Sequence, residues 1–236
     1  MLSGHHDHLG IDPAAPPGTD AIYNGALDSA SGCATVLAMA RAALSAPHRR
    51  SNLVLFSTGE GMGLLGWHGF ARHPPVPAGR IAADLNLDTV NIWGRTLDLG
   101  DLSLGRSSLD VVVREVAAAQ GRTVHGDPHP DRGSYSRGNN LELARVGVPD
   151  LSVSGGPHFR GRPPRWGDEQ VTAWVSQHYH QPSDEYPPWP GRWDLSGAVE
   201  DAQLALVVAL RVANAQGLPR WRKGDEFEAA QVSTPR

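Results

Sequence analysis

Cysteine is almost missing from this chain: Cys33 stands alone among 236 residues. One thiol cannot close a disulfide within the chain, so a disulfide scaffold and a thiolate zinc site are both excluded. Any metal chemistry must then rest on histidine and carboxylate. Lysine is as scarce, with Lys223 the sole example among 21 basic residues, which reads as compositional bias rather than function. Those basic residues face 25 acidic ones, for a net charge of −4, and they form no basic cluster. A nucleic-acid partner is therefore not expected. No apolar run approaches the roughly 18 residues of a membrane span, and no charged-then-apolar leader opens the chain. The Gly-x-Ser-x-Gly elbow of serine hydrolases is absent, and a dinucleotide-binding dehydrogenase is likewise set aside.

What is present suits one globular domain. Hydrophobic residues make up 40% and charged residues 19%, a balance that can bury a core and does not describe a disordered chain. There is no internal repeat and no linker. Residues 1–226 read as a single domain and 227–236 as a loose tail. Helical spacing predicts helices over Asp28 to about Ser45, Gly63–Arg72, Ser107–Gln120 and Trp193–Ala215. Short apolar runs predict strands at Asn52–Ser57, Ile81–Asp88 and Asp150–Val153, with polar loops over 125–140 and 155–170. Strands alternating with helices imply an α/β/α sandwich around one mixed, mostly parallel sheet.

Such sheets collect ligands at the carboxyl ends of their strands. Histidine and carboxylate fall there repeatedly: His5 and Asp7 after the first strand, Glu60 after the second, Asp88 after the third. Asp28 opens a helix and His180 lies in a late loop. A nitrogen and oxygen donor set without thiolate suits Zn²⁺ or a similar divalent ion. In His5-x-Asp7 the acid has the placement to orient the histidine, through its side chain or through the turn. Each residue has an ordinary alternative as well. Asp28 would serve as a helix cap, Asp88 as a turn cap, His180 as a surface histidine and Tyr179 as a packed ring.

Five stretches in order resemble peptidase family M28, the co-catalytic zinc aminopeptidases. They are Gly4–Gly10, Tyr23–Gly32, Glu60 with Gly63–Gly66, Asn86–Asp88 and Tyr179–Tyr186. The resemblance implies the zinc-exopeptidase fold and a peptide substrate. His5 and Asp88 would bind one metal, Asp28 would bridge two, and His180 would bind the second. Glu60 would be the general base, Tyr179 the oxyanion donor and Asp7 the partner of His5. Three features depart from the family. Gly61 stands where a second glutamate would complete the second metal site, which is then expected to be weak or empty, with His68 and His178 as candidate substitutes. Asn139 and Asn140 replace ionisable residues of a loop near the site. The first strands of the fold are missing ahead of Gly4, so an N-terminally incomplete domain is expected. Relatives are often exported, but these residues do not fix a compartment, an oligomeric state or a side-chain preference. Two other activities compete: a binding domain on an impaired peptidase scaffold, and a glutaminyl-cyclase-like acyltransferase.

Overall fold

The structure is a computed structural model that describes residues 1–127, 133–186 and 192–233. The element order begins with β1 (Leu2–His5), the short pair β2 (Gly10–Ile11) and β3 (Ile22–Tyr23), and α1 (Gly32–Ala43). There follow β4 (Val54–Ser57), α2 (Leu65–Arg72), β5 (Asp84–Asn86), β6 (Asp98–Asp101), α3 (Leu109–Ala119) and β7 (Thr123–His125). The chain then runs through α4 (Ser134–Arg137), α5 (Leu141–Arg145), β8 (Asp150–Gly155), α6 (Trp166–Gln177), α7 (Ser196–Asn214) and α8 (Glu228–Ser233). The six-stranded main sheet has the order β4-β1-β5-β8-β6-β7, and β2 and β3 form a separate hairpin. Every neighbour pair in the main sheet is parallel except β6 with β8, so the expected mixed, mostly parallel sheet is present.

Alternating side chains divide the sheet between two helical layers. From β4 and its approach, Val54 and Phe56 pack into a large cluster with Val36 and Met39 of α1, Val113 of α3 and Leu204 and Val208 of α7. Leu53 and Leu55 point the other way, against Trp67 of α2 and Leu143 of α5. Period-two alternation is what a strand covered on both faces imposes. Trp67 is wholly enclosed, and truncating such a ring to alanine costs about 3–5 kcal/mol.

Several elements differ from sequence expectation. Strands β6 and β7 were not anticipated, because Asp98-Leu99-Gly100-Asp101 and Thr123-Val124-His125 carry too few apolar residues to signal a strand. They are strands because their backbones pair with β8 and with each other. The expected loop at 155–170 ends at Trp166, where α6 begins, and α4 lies within the expected loop at 125–140, part of which falls outside the described residues. The expected loose tail is helical over Glu228–Ser233. Phe227 is buried with Trp221 and Ala144, while the Gln231 side chain accepts from the Trp221 amide and donates to the Pro219 carbonyl. Residues 234–236 of that tail lie outside the described residues.

Candidate metal centre

The order β4-β1-β5 places three carboxyl ends side by side, and each releases one candidate residue. His5 ends β1 opposite Ser57 of β4, Glu60 follows β4 by three residues, and Asp88 follows β5 by two. Asp28 arrives from the side, in the irregular turn Ala26–Ser31 that precedes α1. It is therefore not the cap of α1, which starts only at Gly32. A Cβ on Gly32 would stand 2.2 Å from the Asp88 carbonyl and 2.4 Å from that of Leu87. Glycine there lets the helix start press directly on the strand end that carries Asp88.

The donor atoms converge. His5 Nε2 lies 3.1 Å from Asp28 Oδ1 and 3.1 Å from Asp88 Oδ1. His5, Asp28 and Asp88 are the one group of three histidine or acidic residues, among the described residues, whose ligand atoms all lie within 4.8 Å of one another. His5 and Asp28 are buried and Asp88 is partly open, so the group has a closed back and an accessible front. His180 Nε2 approaches from the opposite side, 3.3 Å from Asp28 Oδ2. The two oxygens of Asp28 thus face different histidines, the arrangement of a bridging carboxylate.

Asp7 supports this centre through the backbone as much as through its side chain. His5 Nδ1 lies 2.9 Å from the Asp7 carbonyl oxygen, whereas the nearer carboxylate oxygen is 3.7 Å away. The carboxylate instead accepts from the amides of Gly59 at 2.7 Å and Glu60 at 3.3 Å. One residue therefore sets both the ring of His5 and the loop of Glu60.

Asp184 was not singled out from the sequence. It is buried, and its carboxylate accepts from the amides of Leu27 at 2.8 Å and Asp28 at 3.0 Å, while its own carbonyl accepts from the Ala26 amide. It ties the loop of His180 to the turn of Asp28. Its only sequence signal was membership of the Tyr179–Tyr186 stretch.

The electrostatics favour a cation. Burial alone would lower His5, but the Asp28 and Asp88 carboxylates overcome this and push it up to about 11. Burial raises Glu60; His5 works against that shift, and Asp88, Asp28 and Asp7 add to it. Tyr179 is pushed up to about 12 by burial and then by Asp28, Glu60 and Asp88. Its ring stacks on His180, with centroids 3.8 Å apart. Carboxylates gathered about one buried imidazole are tolerated when a positive charge offsets them. A nitrogen and carboxylate donor set of this kind fits Zn²⁺.

His68 and His178, the expected substitutes for a glutamate at position 61, each have a partner of their own. His68 Nδ1 pairs with Glu142 at 2.7 Å, and His178 Nδ1 lies 3.0 Å from the Ser183 hydroxyl. Asn139 and Asn140 are buried, which leaves them no open face for substrate. The spacing Gly61-x-Gly63-x-x-Gly66 after β4 matches that of a dinucleotide-binding turn. Here the amides of Gly63 and Leu64 donate to the Glu60 carbonyl, that of Leu65 to Gly59 and that of Gly66 to Thr58. Engaged within the loop, these four amides are not free to cradle a phosphate.

Beside the centre opens a cavity of about 590 Å³. Leu27, Thr89 and Tyr179, each adjacent in sequence to a candidate ligand, line its near side, and Trp93, Phe159 and Trp174 contribute apolar wall.

The model of "Peptidase family M28" matches residues 1–207. No curated protein is similar enough in sequence to count as a relative. Among solved structures, BSAP, a zinc aminopeptidase from Bacillus subtilis, superposes with a TM-score of 0.65 at 18% identity, covering 96% of this chain and 47% of that one. The LapA aminopeptidase of Legionella pneumophila gives 0.63 at 16% identity, covering 92% of this chain and 51% of its own. A glutaminyl cyclase of Porphyromonas gingivalis gives 0.50 at 20% identity, with 89% and 70% covered. The chain thus spans about half the length of the two aminopeptidases, and at these identities the superpositions speak to fold. Family membership rests on the match across most of the sequence, together with strand ends that carry its motifs to one point: the chain belongs to peptidase family M28.

Proposed function

We propose that this domain is a zinc-dependent peptidase of the aminopeptidase type, removing the N-terminal residue of a peptide. The observation that carries the proposal is the convergence of His5, Asp28 and Asp88 within 4.8 Å, where two strand ends meet the turn that precedes α1. A divalent cation held by these three residues would polarise a peptide carbonyl and acidify water. The chain's own groups account for the remaining work. His5 is fixed through Nδ1 by the Asp7 carbonyl, which leaves Nε2 directed at the two aspartates. Glu60, raised by burial and neighbouring acids, has a carboxylate suited to take a proton from attacking water and return it to the leaving amine. Tyr179, raised by burial and the neighbouring carboxylates, keeps its proton and donates a hydrogen bond to the oxygen that gains charge. The adjoining cavity receives an apolar side chain next to the scissile bond.

The test is hydrolysis of aminoacyl anilides and of short peptides with free or acetylated N-termini, by chain treated with chelator and then resupplied with Zn²⁺. The expected result is zinc-restored cleavage of free N-termini only. Absence of cleavage by folded, zinc-loaded chain would replace this reading with a binding domain on the same scaffold, the alternative that Gly61 favours. Conversion of an N-terminal glutaminyl peptide without hydrolysis would favour the cyclase reading.

A further inference from the structure

We propose that Asp98 and His158 form a proton-operated clasp on the wall of the cavity beside the metal centre, tight while His158 is protonated and looser once it is not. Asp98 is buried and opens β6. Its Oδ2 lies 2.6 Å from His158 Nδ1 and 3.2 Å from His125 Nε2, and its Oδ1 accepts the His158 amide at 3.1 Å. One carboxylate thus joins the end of β7 to the segment that leaves β8. Both sides belong to the cavity: His125 lines it, as do Gly156, Pro157 and Phe159 around His158. The fit is close, since a Cβ on Gly156 would fall 2.2 Å from Asp98 Oδ1. The Phe159 ring meets Trp166 edge to face, and from there α6 continues the same wall with Val171 and Trp174.

The backbone ties of this segment are indifferent to pH. The Gly156 amide donates to the Asp98 carbonyl, that of Leu97 to His158 and that of Arg160 to Arg95. The contact between the Asp98 carboxylate and the His158 ring is different. Asp98 raises His158 above its ordinary value, first by the hydrogen bond and then by charge; burial opposes this and Asp168 of α6 adds to it. Arg122 stands behind the carboxylate, donating to the Asp98 carbonyl at 2.9 Å and pairing with Asp201 of α7 at 2.7 Å. That guanidinium stays charged across the range in which histidine titrates. A histidine raised by folding contributes fully below its unfolded value of about 6.5, and the contribution fades as pH climbs through the folded one. Neutral His158 still donates through Nδ1, but the bond loses its charge assistance, roughly half its strength. Asp98 and His158 are therefore positioning residues, acting through the wall they hold.

This inference rests on the cavity being the substrate's, but its first readout needs no turnover. Hydrogen exchange of the metal-free full chain, corrected for intrinsic rates, is followed over residues 156–177 at about pH 6 and about pH 8.5, on either side of the histidine range. The expected result is that the wild type is about 3–10-fold better protected than His158→Gln near the lower pH and equal to it near the higher one. His158 is exposed, so this variant folds; Asp98→Asn is a second one, in which the His158 ring signal in proton NMR falls back toward its ordinary midpoint. An advantage over folded His158→Gln that is missing at both pH values, or that persists unchanged at the higher one, overturns the proposal. With zinc-loaded chain and a peptide of large apolar N-terminal residue, the same advantage appears in KM and not in kcat. Cleavage whose KM responds to pH alike in the wild type and His158→Gln overturns the clasp and leaves the peptidase reading standing. Proton-dependent protection in a chain that cleaves nothing does the reverse.

Discussion

Asp184 supplies a sharp test of how the centre is held together. Its carboxylate is buried and accepts two amides, from Leu27 at 2.8 Å and Asp28 at 3.0 Å. Asp184→Ala leaves both amides enclosed without an acceptor. Hydrogen bonds to a charged group contribute about 1.5–3 kcal/mol each, so two set an upper range of about 3–6 kcal/mol. Removing the carboxylate also relieves its own burial, and water entering the space returns part of the loss. The expected net destabilisation is about 3 kcal/mol, and for a chain of this size that lowers the melting temperature by about 6–12 °C. Asp184→Asn keeps one carbonyl acceptor and is expected to lose about half as much. Urea denaturation of zinc-free chain reads the effect without metal linkage, as a shifted midpoint at constant slope. If Asp184→Ala stays within about 0.5 kcal/mol of the parent, the range of ordinary surface changes, the two loops are not held by this carboxylate.

Three further outcomes are expected. Glu60→Gln lowers any hydrolysis by about 10²–10⁴-fold with bound zinc unchanged, because a carboxamide cannot accept the proton; anilide turnover beside elemental analysis checks both halves. Gly32→Ala forces a methyl against two backbone carbonyls and costs at least about 1–3 kcal/mol, whereas Gly69→Ala, inside α2 with open space around it, stabilises by about 0.5–1 kcal/mol; opposite shifts in denaturation midpoint are the readout. Burial raises Asp101 to about 6 even though Ser103 hydrogen bonds oppose it. The folded chain then holds this proton more tightly than the unfolded one, so stability falls as pH rises from about 4 to about 6. Asp101→Asn makes that fall shallower, and an unchanged slope across the window would count against a buried carboxyl at this site.

Much of the centre was legible in the residues themselves. His5, Asp28, Glu60, Asp88 and His180 stood out because metal-type side chains at strand ends are chemically conspicuous, and the family motifs gave them an order. The helices with a clear apolar stripe were legible for the same local reason: Val36 and Met39 in α1, and Val113 and Val116 in α3, face one cluster at helical spacing. Strands β6 and β7 were not, since Gly100 and Asp101 give no local signal and become strand only by pairing with β8. Helix α8 depends likewise on Phe227 finding Trp221 and Ala144. Sequence also left open whether Asp7 acts by side chain or by turn, and the structure brings its carbonyl to His5 and its carboxylate to the Glu60 loop. It offered His68 and His178 as substitutes for a glutamate at position 61, and the folded chain pairs them with Glu142 and Ser183 instead. Which donors a sequence contains is a local property, and composition and motif disclose it. Which of them share one point depends on strand order, on a glycine that clears space and on an aspartate reaching across more than 150 residues, and only the folded chain brings those together.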